Sequence, residues 1–166
     1  MRWVRNNNNL FEIFLGYDWN DYKQPALTND EERDGKGPNA YFSWVWLFKE
    51  NAFFNFRYQY NIQDTDGLHW DYKGNKFSLN LIYPLSDVVN FQASGQAYLQ
   101  DYDNPRSDLF IVAREDKTYT FSVGLTWQFY KNTNLIAQYT RIRGDSNIPI
   151  YDYEKDLYTL GCEYVF

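Results

Sequence analysis

Residues 118–130 read Thr-Tyr-Thr-Phe-Ser-Val-Gly-Leu-Thr-Trp-Gln-Phe-Tyr, and every second position is large and apolar: Tyr119, Phe121, Val123, Leu125, Trp127 and Phe129. Small or polar residues fill the positions between. A period of two sends successive side chains to opposite faces of a strand, so this segment has one apolar and one polar face. The rings stand at both ends of the apolar face, with Val123 and Leu125 in the middle. That order suits a wall in a lipid bilayer, where amphipathic rings collect at the two lipid–water boundaries.

The same alternation recurs on either side. Toward the N-terminus it predicts strands at about Leu10–Asn20, Ala40–Lys49, Phe53–Gln63, Lys76–Leu85 and Val88–Asp101, the last being the weakest. Toward the C-terminus it predicts Asn134–Arg143 and Leu157–Phe166. With residues 118–130 these make eight strands, each near the length that crosses hydrocarbon at a tilt. Short turns at Glu50–Ala52, Ser86–Asp87 and Lys131–Thr133 alternate with long polar loops at Asp21–Asn39, Asp64–Asn75, Tyr102–Lys117 and Gly144–Asp156. Short turns at one end and long loops at the other predict an eight-stranded antiparallel up-and-down transmembrane β-barrel, with periplasmic turns and extracellular loops. Residues 1–166 then form a single domain, with 1–9 as a periplasmic lead-in and both termini on the periplasmic side.

Composition agrees. Aromatic residues make up 21% of the chain, yet mean hydropathy is −0.67. A wall that alternates between lipid and a polar interior has this combination. The net charge of −6 argues against nucleic acid, which needs a basic footprint. The single cysteine, Cys162, excludes an intrachain disulfide and a cysteine-based zinc cluster. The opening MRWVRNNNNL holds no apolar stretch long enough for an export signal. The sequence is therefore expected to be a mature or recombinant form, or part of a longer polypeptide.

Two girdles follow from the ring positions. Trp19, Phe42, Tyr60, Phe77, Tyr119, Tyr139 and Tyr158 lie near the loop ends, while Phe48, Phe54, Tyr83, Phe91, Phe129 and Phe166 lie near the turn ends. A soluble barrel would turn its aromatic faces inward and has no reason to sort rings this way. The opposite faces carry Glu12, Arg57, Gln59, Asn80, Gln92, Gln128, Gln138 and Glu163, a polar lumen. In a closed eight-stranded barrel these side chains are expected to fill the interior as a plug, with Arg57 paired to Glu12 or Glu163.

The last strand carries the most specific motif. Tyr158, Leu160, Cys162, Tyr164 and Phe166 occupy every second position back from a terminal Phe. This resembles the C-terminal strand that the bacterial barrel-assembly machinery recognises, which implies a role in membrane insertion for Phe166, Tyr164, Leu160 and Tyr158. Residues 119–166, YTFSVGLTWQFYKNTNLIAQYTRIRGDSNIPIYDYEKDLYTLGCEYVF, resemble the final strands of barrels attached to periplasmic tetratricopeptide repeats, including the surface lipoprotein assembly modifier type.

Candidate chemistry is sparse. His69, the single histidine, stands near Asp66 and Asp71 in the second loop. The sharp reading makes it a general base, for which Thr65 is the one nucleophile in that loop; the bland reading is a solvated histidine. The loop carboxylates invite calcium but match no EF-hand spacing. Arg106, Arg114, Lys117, Arg141 and Arg143 near the outer rim suit either lipid phosphates or local ion pairs. Residues 146–153 of the fourth loop suit either partner contact or packing over the barrel mouth. We therefore expect no enzyme, cofactor or metal. The expected role is a membrane anchor or scaffold in contact with outer-membrane lipid, lipopolysaccharide and a protein partner. A transport pore within a larger or multi-chain barrel, and a lipid-modifying enzyme, are the alternatives.

Overall fold

The computed structural model describes residues 8–23, 27–105 and 111–164, and the backbone of residues 2–6. One antiparallel sheet contains nine strands in sequence order. Its strands are β1 (Arg2–Asn6), β2 (Asn9–Asn20), β3 (Gly35–Lys49), β4 (Ala52–Thr65), β5 (Tyr72–Ser86), β6 (Val89–Pro105), β7 (Ala113–Tyr130), β8 (Thr133–Ser146) and β9 (Tyr153–Tyr164). The eight long strands, β2 to β9, stand where alternation places them. β1 is an addition: the lead-in folds back, setting Arg2 opposite Glu12 and Val4 opposite Leu10. Phe166 lies outside the described residues, as does Arg106.

Among the described residues no helix is long and apolar enough to cross a membrane. The strands reach several residues past the expected ends on the loop side, because backbone pairing continues into water where apolar alternation has stopped. Three short 3-10 turns, Asn29–Glu31, Leu68–Trp70 and Pro149–Tyr151, shape the first, second and fourth loops.

The short turns have a local cause. Asn51 and Asn132 hold positive φ values of 58° and 59°, and a register shift adjoins each turn. Asparagine tolerates this left-handed backbone better than other residues with a Cβ, and a left-handed residue beside a bulge is a common way to close a hairpin. At the other end, an added Cβ on Gly144 would overlap the ring of Tyr153, its partner on β9. Glycine there lets the ring lie flat against the backbone of the neighbouring strand.

Two findings depart from a sealed barrel. Among the described residues no pairing joins β9 to β1 or β2, and all twelve residues of β9 are exposed. Apart from glycines, four described residues are buried, namely Ala52, Ile148, Ser43 and Thr65, and of these only Ser43 belongs to the polar rows of the inner face described below. The interior is therefore not packed with side chains.

Candidate functional site: a polar inner face and its rim

Register sorts the inner-face side chains into rows. One row runs Glu12, Ser43, Arg57, Ser78, Gln96, Thr120. The row on its turn side runs Asn55, Asn80, Ser94, Ser122, Thr140. On its loop side lie Tyr41, Gln59, Lys76 and Tyr98. A cavity of 480 Å³ lies against Glu12, Arg57, Asn80, Gln92 and Gln138, drawn from five strands. A second cavity of 420 Å³ adds Gln59, Lys76, Gln96 and Thr120. The two share Asn55, Arg57, Asn80 and Ser94, and so form one continuous space.

Neighbouring strands are tied together by amides and hydroxyls. Asn55 Nδ2 donates to Ser43 Oγ at 2.9 Å, and Gln59 Nε2 to Asn39 Oδ1 at 3.1 Å. Ser122 and Thr140 share a 2.7 Å hydroxyl bond, and within β8 itself Gln138 Nε2 donates to Thr140 Oγ1 at 3.2 Å. The expected carboxylate partner for Arg57 is not what the fold provides. Its guanidinium lies 4.4 Å from the Tyr41 ring centroid, and its buried Nε has no hydrogen-bond partner. Glu163 accepts from Asn134 Nδ2 at 3.0 Å instead, with Gln128 at the same level. A ring neighbours Arg57 because Tyr41 stands on the inner face of β3, diagonal to it. Alternation puts an aromatic residue there but gives no hint of the stacking.

The rim is knitted by rings and guanidinium groups, among them Arg114, which the sequence places near the outer rim. Arg114, its side chain 12% exposed, lies 3.8 Å from the Tyr102 centroid and 4.3 Å from that of Tyr151. Arg33 from the first loop lies 4.1 Å from the Trp70 ring of the second. Arg114 Nε is 3.0 Å from Asp116 Oδ2. Burial pushes the Tyr102 hydroxyl above the ordinary tyrosine range, while the Arg114 charge pulls it the other way. Tyr151 and buried Ile148 thus pack the fourth loop onto the rim, while Ile150 stays 70% exposed.

His69 Nδ1 faces Glu31 Oε1 of the first loop at 3.5 Å, not Asp66 or Asp71. Asp71 is engaged elsewhere, its Oδ1 accepting from Thr65 Oγ1 at 2.8 Å. Arg141 pairs with Glu154 at 3.1 Å and Arg143 with Asp145 at 2.7 Å. Among the described residues, no cluster of His, Cys, Asp or Glu is arranged to hold a metal ion.

The outer face carries the girdles. Trp19, Phe42, Tyr119, Tyr158, Tyr83 and Phe129 are exposed there, and Tyr139 meets Tyr158 at a tilt of 37°, 5.2 Å between centroids. Tyr60 sits on the same face of β4, and Phe48 stacks on Tyr83 at 6.2 Å. Of the expected insertion residues, Tyr158, Leu160 and Tyr164 all lie exposed on β9.

An antiparallel wall with an apolar ringed exterior and a polar inner face defines a porin-like β-barrel. A family model agrees: residues 10–165 match the family described as "Putative beta-barrel porin 2", and the chain belongs to that family. Membership accords with an outer-membrane location. Comparison with curated proteins and with solved structures found no match.

Proposed function

We propose that the chain forms the wall of a non-catalytic, water-filled conduit for small polar solutes in the outer membrane. The observation that carries this reading is the pair of adjoining cavities along the inner face, with amides, hydroxyls and charges in their lining. A plug would have buried its amides and charges against one another, whereas here the rows stay solvated. Among the described residues β9 pairs with β8 alone, which supports a lumen wider than these strands enclose. In lipid the outward backbone groups of β9 need a further strand for hydrogen bonding. The short turns and both termini then face the periplasm, and the loops with their ion-paired arginines lie beside the outer-leaflet lipopolysaccharide.

Planar-bilayer recording tests this. Protein purified in mild detergent from native membranes is expected to give steady conductance steps. A folded preparation that inserts and never conducts would overturn the conduit. The β9 edge also favours a second reading, an anchor that pairs its last strand with a partner chain. Mass spectrometry of the same preparation is expected to reveal a stoichiometric partner in that case, and its absence removes the anchor.

A further inference from the structure

We propose that the inner face holds a binding site for a small oxyanion, a phosphate- or carboxylate-bearing solute, between Arg57 and Lys76. This rests on the conduit reading and names the class of solute that reading leaves open.

Arg57 and Lys76 both line the 420 Å³ cavity. Lys76 pairs in register with Gln59, and Arg57 with Ser78. The two cations are thus diagonal neighbours on one face, a relation that spans about 7–8 Å. Like charges at neighbouring positions of one face repel, so an anion between them is favoured. The described lining of this cavity contains no carboxylate. In a chain of net charge −6, two cations with a single acid nearby, Glu12 in the adjoining cavity, make a local reversal of sign.

Rings hold the cations where acids do not. Arg57 lies over Tyr41 at 4.4 Å and Lys76 lies 5.8 Å from the Tyr98 centroid. Cation–π contact fixes a charge without neutralising it, so both keep their field and their N–H donors. The buried Arg57 Nε has no protein acceptor. Ser78, Gln96 and Thr120 continue the Arg57 row with hydroxyl and amide donors. An oxyanion between the cations would accept from the guanidinium and the ammonium together, in charge-assisted bonds that outweigh neutral ones. A neutral solute gains nothing from the paired charge, and a cation is repelled.

The test uses the full chain in detergent micelles with inorganic phosphate as probe. Equilibrium dialysis is expected to show saturable binding. Arg57→Gln and Lys76→Gln should each weaken it about tenfold or more, while Arg57→Lys should retain most of it. Heat-dependent migration on gels checks that each variant is folded, and if Arg57→Gln fails that check, Lys76→Gln decides alone. No saturable binding by the parent protein, or undiminished binding by folded Lys76→Gln, overturns the site. Bilayer recording keeps the two proposals apart. Phosphate binding without conductance upholds the site and removes the conduit, whereas conductance without phosphate binding removes the site alone.

Discussion

At the scale of single residues, Asn51 and Asn132 show how a side chain chosen for its backbone closes a hairpin. They are the non-glycine residues with positive φ among those described. A Cβ in this region costs roughly 1–2 kcal/mol, which asparagine offsets in part by local hydrogen bonding. We expect Asn132→Ala to destabilise the folded chain by about 1 kcal/mol and Asn132→Gly to be neutral or better. Urea unfolding from lipid vesicles measures both, and equal loss in the two variants would refute the backbone explanation. Other residue roles were only half legible. Arg57 reads as inward-facing from alternation alone, but its partner does not, because the ring that takes it belongs to a neighbouring strand. Lys76 was within reach: it is the first inner position of a segment whose next inner residues are Ser78 and Asn80. Arg114 reads as a rim cation, and its ion pair with Asp116 is one of the two partners the sequence offers it, but its rings lie past the point where apolar alternation ends.

At the scale of the strand, the two faces carry separate rules. Leu79 sits on the outer face of β5 between the rings of Phe77 and Tyr83, and is 46% exposed to what surrounds the wall. A cation at that depth faces hydrocarbon, so Leu79→Arg is expected to cost about 2–4 kcal/mol. Ser78→Arg, one residue away and turned inward, should cost far less. Unfolding of both variants from vesicles decides the matter, and similar penalties would mean that the faces are misassigned. Strand centres were legible because period two is a local property of the chain. Strand ends and β1 were not. RWVRN is too short to display a period, and its pairing with β2 is fixed by the intervening turn.

At the scale of the whole molecule, register and girdle together give the inclination of the wall. Partners traced from Tyr158 pass through Tyr139, Val123, Ala93, Leu81, Phe54 and Trp46 to Asn9 and, between Ala93 and Leu81, across β5 and β6. The outer-girdle ring on β2 is Trp19, about ten residues further along. With a rise of about 3.3 Å per residue and a strand spacing of about 4.8 Å, that offset over seven steps inclines the strands by about 45°. Transmembrane barrels incline by about 35–45°. Closure is the property that alternation cannot report, because every strand of a sheet repeats with the same period whatever the number of strands. That β9 pairs with β8 alone among the described residues had to be seen.

The sorting of tryptophans gives the protein a built-in optical depth gauge. Trp19, Trp44, Trp46 and Trp127 look outward from the wall, whereas Trp70 is held at the rim beneath the Arg33 guanidinium. Brominated lipid tails should therefore quench most of the emission and spare a residual component. Trp70→Phe should abolish a large part of that residue, and a spectrum quenched to the same remainder without Trp70 would place that ring elsewhere. Because the part of the spared emission that is lost with Trp70 comes from the rim, its response to added solutes would report loop rearrangement in an intact membrane, with no dye attached.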